Sequence, residues 1–135
     1  MNKISLILAG AMLLATTVVT AAIEVTEGDE AVNIYESQKN EGVVLVQKDK
    51  SFFLRTESGD ESINKKTFTL KSGQLLFLIN DERRYVHNIY DTTDKGWVLK
   101  KQKPSEVAVV VFDKVGKHKL KCAIHPRMKV TVIVE

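Results

Sequence analysis

The 135-residue sequence predicts an all-β fold, an antiparallel sandwich or barrel, and three observations carry that expectation. Short runs rich in Val, Ile, Phe and Thr are separated by turn signals about every 8–12 residues, as in sandwich strands. Beyond the N-terminal apolar run, hydrophobic residues nowhere recur at helical spacing over three turns. Residues 117–122 alternate strictly between lysine and a non-lysine residue, a period of two that suits a half-buried strand.

Lys3 followed by the apolar stretch Ile4 to Leu14, with small residues at Thr20, Ala21 and Ala22, resembles a bacterial secretory signal peptide cleaved after Ala22. The stretch is shorter than the roughly 20 residues of a bilayer span. No cysteine stands at the cleavage point to carry a lipid, and an uncleaved N-terminal anchor is the alternative. The expected organisation is a signal peptide over 1–22 and one periplasmic domain over 23–135. That length is enough to bury a core without disulfides.

Within that domain, Val43 to Gln47 and Ser51 to Leu54 read as strands flanking Lys48-Asp49-Lys50. Lys66 to Leu70 and Gln74 to Ile79 flank a tight turn at Lys71-Ser72-Gly73, where glycine can supply a positive φ. Val107 to Phe112 is a β-branched run ending at Asp113-Lys114-Val115-Gly116, and Lys129 to Glu135 is the last strand. Thr56 to Asn64 has poor periodicity and is the place for one short helix or an irregular stretch. No repeat, low-complexity tract or linker divides the domain. In the strand before Cys122, the lysines at 117, 119 and 121 must stay solvated, so His118, Leu120 and Cys122 face inward.

A net charge of +3, with both signs interspersed, is too small to argue for nucleic acid. The lysines at 100, 101 and 103 and at 117, 119 and 121 read as a solvated face, with a docking surface for an acidic partner as the sharper alternative. A single cysteine excludes an internal disulfide.

The chemistry concentrates near the C-terminus. Cys122 and Met128, the only cysteine and methionine beyond the leader, bracket His125 in Cys122-Ala123-Ile124-His125-Pro126-Arg127-Met128. His87 stands upstream in Val86-His87-Asn88-Ile89-Tyr90. Two imidazoles, one thiolate and a weak axial thioether form the donor set of a blue-copper electron-transfer site. Pro126 restricts the loop and biases His125 toward an extended backbone. Asn88 is placed to hydrogen-bond across to the cysteine loop and brace it.

These two segments resemble those of the cupredoxins, the plastocyanin-like blue-copper proteins. The compact Cys-x-x-His-Pro-x-Met loop is most similar to that of amicyanin and of the plastocyanin-like proteins associated with methylamine utilisation. Asn80-Asp81 and the stretch Phe112 to Gly116 also resemble the family framework, and the similarity spans roughly Lys66 to Glu135. The resemblance implies a Greek-key β-sandwich of about eight strands holding one copper ion that cycles between Cu(I) and Cu(II). His87, Cys122 and His125 would be the strong ligands, Met128 the weak axial one and Asn88 the loop brace. Ile124 and Pro126 would belong to an apolar electron-exit patch around His125. Lys121 stands where relatives often have an aromatic residue, and Val86 where proline is frequent. The implied role is a monomeric one-electron carrier between redox proteins, not an enzyme, with no nucleic-acid partner and no stable membrane association after cleavage.

Rival readings are weaker on chemical grounds. A copper-delivery protein could use the same ligands, but such proteins often expose several methionines. A binuclear copper centre needs a second cysteine, and thioether is a poor ligand for structural zinc. A thiol hydrolase built on Cys122 and His125 lacks a glycine-rich oxyanion loop. His118, Trp97 and Tyr90 read as packing residues, and Asp81-Glu82-Arg83-Arg84 as a solvated loop.

Overall fold

The computed structural model describes residues 10–13, 15 and 23–135. The expected leader, with its cleavage after Ala22, lies outside them apart from residues 10–13 and 15. Among the described residues no helix is long and apolar enough to cross a membrane.

Two sheets face each other. One has six strands: β1 (Ile23–Thr26), β2 (Val43–Lys48), β3 (Ser51–Thr56), β4 (Gly59–Ser62), β6 (Leu75–Asn80) and β9 (Val107–Phe112), in the order β1-β9-β6-β2-β3-β4. The other has five: β5 (Thr67–Leu70), β7 (His87–Asp91), β8 (Gly96–Gln102), β10 (Gly116–Cys122) and β11 (Lys129–Val134), in the order β5-β11-β10-β7-β8. The sandwich is as expected, but it has eleven short strands among the described residues. The sheets are also mixed: β2 runs parallel to β6 and β5 parallel to β11. Both parallel pairs join strands far apart in sequence, where turn signals carry no information.

One expectation needs correcting. Thr56–Asn64 holds no helix; it forms the β3–β4 hairpin, with Thr56 opposite Gly59 and Gly59 at φ +122°. The helix is α1, Gly28–Gln38. Its apolar face is narrow, with Ala31 buried and Ile34 and Tyr35 packed beside it, while Val32 is exposed. Asp29 and Glu30 suit the positive end of the helix dipole, but no side chain caps the N-terminus. Local signals are therefore weak, and the helix is held by packing. Ala31, Ile34 and Tyr35 cover Val44, Val46, Phe77, Ile79 and Val109 on the outer face of the six-stranded sheet, with Tyr35 edge-on to Phe77 at 5.3 Å.

That cover explains why β2 and β6 are continuous apolar runs. Val44 and Val46 face α1, while Leu45 points between the sheets with Phe52, Leu76, Leu78, Ile89 and Leu120. In the five-stranded sheet one face stays solvated, so β10 and β11 alternate. His118, Leu120 and Cys122 are buried and the three lysines between and before them exposed, as the period of two requires.

Gly42, just before β2, is a close approach. A Cβ there would lie 2.5 Å from the Leu75 carbonyl oxygen and 2.8 Å from Phe77 Cε2. Because the nearer atom is backbone, Gly42→Ala should force the β2–β6 pair apart, with an expected loss of about 1–3 kcal/mol in urea unfolding. An unchanged midpoint would contradict this.

Candidate metal centre

The site forms where β7 begins and β10 ends. His87 follows a six-residue loop, 81–86, that a buried polar network folds back onto the sandwich. Asn80 Nδ2 donates to the carbonyls of Tyr85 and Gln102, both at 2.9 Å, while its Oδ1 accepts from Glu82 N at 3.0 Å. Gln102, opposite His87 on β8, donates through Nε2 to the Leu78 and Glu106 carbonyls and accepts from Gln47 Nε2. Asn80, Gln47 and Gln102 are all buried, so these bonds are needed to offset desolvation. The start of β7 is thereby anchored before any ligand is considered.

The cysteine loop is equally constrained. Cys122 N donates to the Met128 carbonyl at 3.1 Å, and Met128 N to the His125 carbonyl at 2.9 Å, so the loop closes on itself. Asn64 clamps it from outside: Nδ2 donates to the Arg127 carbonyl at 3.0 Å and Oδ1 accepts from Lys129 N at 3.2 Å. Asn88 does link β7 to this loop, but through its main-chain carbonyl, which accepts from Ala123 N at 2.9 Å. Its side-chain Oδ1 instead accepts from Lys101 N at 2.6 Å, on β8.

These constraints bring three donor atoms together. Cys122 Sγ lies 3.5 Å from His87 Nδ1 and 3.7 Å from His125 Nδ1. The three ligand atoms all fall within 4.8 Å of one another. Donors placed about 2.0 Å (nitrogen) and 2.3 Å (sulfur) from one ion in a trigonal plane would be separated by about 3.7 Å. The donor set therefore fits a single soft transition metal. Met128 is fully buried at the end of the same loop, in the core cluster that includes Cys122. His87 is buried and His125 half-buried; Ile124, Pro126 and Arg127 are exposed beside His125.

Among the described residues the far nitrogen of His87, Nε2, has no hydrogen-bond partner, but Glu82 Oε1 stands 3.7 Å from it. Glu82 is not solvated as its sequence neighbourhood suggested. Its side chain is only 8% exposed, and Oε1 also accepts from Lys50 N at 2.7 Å. A carboxylate behind a ligating imidazole fixes ring orientation and tautomer, leaving Nδ1 free to bind. Burial, and secondarily the neighbouring His125, push the His87 imidazolium down to about 4, while Glu82 works in the opposite direction. His87 is thus neutral and ready to ligate at ordinary pH.

Four supporting residues escaped the sequence reading: Glu82, Asn64 and the Gln47–Gln102 pair. Only their position in space marks them. A second cluster joins Asp91, Asp94 and His118. His118, read as a packing residue, does stack against Phe112, with ring centres 4.7 Å apart. Its Nδ1 also meets Asp91 Oδ2 at 2.7 Å.

No protein-family model matches the chain, and no curated relative does. Solved structures do. The Cu(I) form of a methionine-to-alanine amicyanin variant superposes with a TM-score of 0.57 at 19% identity, covering 82% of this chain and 98% of that one. An oxidised proline-to-alanine variant of amicyanin gives 0.56 at 19% identity over the same shares. A reduced proline-to-phenylalanine variant gives 0.54 at 18%, covering 71% of this chain and 84% of that one. These superpositions show that the chain has a cupredoxin-like fold.

Proposed function

We propose that the protein is a mononuclear type 1 copper protein that carries single electrons between redox partners. The observation that carries this reading is the convergence of Cys122 Sγ with two imidazole Nδ1 atoms at 3.5 and 3.7 Å, with Met128 buried at the end of the cysteine loop. His87, Cys122 and His125 would hold the ion and Met128 would supply the axial thioether. When bound, copper supplies a one-electron couple. The chain's part is to hold the donors still, so that little rearranges as the electron passes. Asn80, Asn64 and the Asn88 carbonyl do this by fixing both loops, and Glu82 by orienting His87. His125, half-buried beside Ile124 and Pro126, is the path to the surface. Residues 1–22 are proposed as the export signal and 23–135 as a monomeric periplasmic domain.

The test is a titration of residues 23–135 with cupric salt. One equivalent should produce intense visible absorption and an EPR spectrum with narrow copper hyperfine splitting. Protein that stays colourless would overturn the proposal. Dialysis against a copper chelator separates carrier from donor: an electron carrier keeps its ion, whereas a delivery protein releases it readily. Met128→Gln should lower the reduction potential in voltammetry while copper stays bound, and loss of the metal would contradict the axial role.

A further inference from the structure

The outer face of the five-stranded sheet carries positive charge that its own side chains do not neutralise. Trp97 of β8, Tyr90 of β7, Lys121 of β10 and Lys129 of β11 stand in one row across it. Lysines directly opposite each other repel, and among the described residues neither Lys121 nor Lys129 forms an ion pair. The groove beside them is lined by Lys65, Lys66, Lys119, Lys121 and Lys129, with no carboxylate. It adjoins a second groove through Lys65 and Pro126, where Lys50 and Arg127 flank Ile124 and His125 and Asp49 is the one acidic lining residue. Lys50 Nζ lies 4.7 Å from the centre of the Tyr85 ring, which meets His125 edge-on at 5.4 Å. Lys50, Lys65 and Arg127 thus carry positive charge into the groove that His125 lines.

Beside His125 the acidic groups are Asp49 in the second groove and Glu82, whose Oε1 accepts from Lys50 N and stands 3.7 Å from His87 Nε2. Asp29, Glu30 and Glu36 sit on α1, against the outer face of the opposite sheet, and Asp60 is already paired with Lys48 and Arg55. The net charge of +3 is therefore unevenly spread, with a groove of five lysines and no carboxylate adjoining the one that His125 lines.

We infer that this face docks the acidic surface of a protein redox partner and brings that partner against His125. The inference rests on the proposed copper centre for what is exchanged, and on the charge distribution for where the two proteins meet. A partner with clustered carboxylates relieves the lysine repulsion and is steered into the one orientation that presents His125.

Two measurements test it, one of them independent of copper. In the first, the redox-inert trianion hexacyanochromate(III) is titrated into the metal-free protein and amide NMR broadening is recorded. Broadening should map to Lys65, Lys66, Lys129, Ile124, His125 and Arg127, and it should be lost in Lys119→Glu/Lys129→Glu but kept in Lys114→Glu, just before β10 and away from both grooves. Broadening elsewhere, or unaffected by the double variant, would overturn the inference. In the second, the reduced copper-loaded protein gives one electron to ferricyanide, forming ferrocyanide. The double variant should react about tenfold more slowly at low ionic strength. Equal rates, or displacement of hexacyanochromate by a DNA duplex more readily than by polyglutamate, would also defeat it. A protein that refuses copper yet shows the mapped broadening would remove the copper reading alone.

Discussion

His118→Leu is expected to cost the domain about 3–5 kcal/mol, a large part of the stability of a chain this size. His118 is buried on β10 and Asp91 on β7, and their 2.7 Å contact ties the two strands that carry Cys122 and His87. Asp91 Oδ1 is occupied by Thr93 N at 2.9 Å, so Oδ2 depends on the imidazole. Asp94 approaches the same ring nitrogen at 3.5 Å from a more exposed position, and as a carboxylate it cannot take the imidazole's place beside Asp91. Removing the ring leaves a buried carboxylate without its partner, the costly half of breaking a buried pair. Replacing both residues with leucine should recover much of the loss, because two apolar side chains carry no such debt. Denaturant unfolding of the single and double variants checks this. A loss below about 1 kcal/mol would place the pair with ordinary surface contacts.

The metal-free protein should lose stability as pH falls from about 6.5 to about 4, by about 3 kcal/mol from His87 alone. The sign follows from which state takes up the proton. Unfolded, His87 titrates near 6.5; folded, its imidazolium is suppressed to about 4 by burial and then by His125. Between those values the unfolded chain binds one more proton than the folded one, so acid favours unfolding. Above the window both states are neutral and the penalty vanishes; below it both are protonated and the loss is complete. His87→Leu should remove one proton from the pH slope of unfolding. Glu82→Gln should steepen the acid loss, because Glu82 is the group that favours the imidazolium. Unfolding free energies measured at intervals across this range decide it, and a slope identical in wild type and His87→Leu would contradict the assignment. Bound metal should shift the loss to lower pH, since it competes with the proton for Nδ1.

Strand content was legible wherever one sheet face meets water. Lys117, Lys119 and Lys121 alternate with buried His118, Leu120 and Cys122, and that alternation alone oriented the cysteine. Two elements lack that alternation yet still read as strands from their apolar, β-rich runs, and only the helix that covers them escapes the sequence. In β2 and β6 both faces are covered, so periodicity disappears, and α1, which covers one of them, needs only Ala31, Ile34 and Tyr35 to do so. A helix held by packing with so narrow a stripe gives little local signal.

The sequence by itself determined an all-β sandwich or barrel, the inward face of the strand before Cys122 and the four candidate ligands. All of these follow from spacing along the chain or from the chemistry of a few side chains. Tertiary structure alone decided that β2 and β5 pair in parallel with β6 and β11, and that Glu82 stands behind His87. It also placed His118 against Asp91 and spread the lysines of four separate segments along one surface beside His125. Those relations join residues far apart in sequence, and only the closing of the two sheets on each other sets their distances.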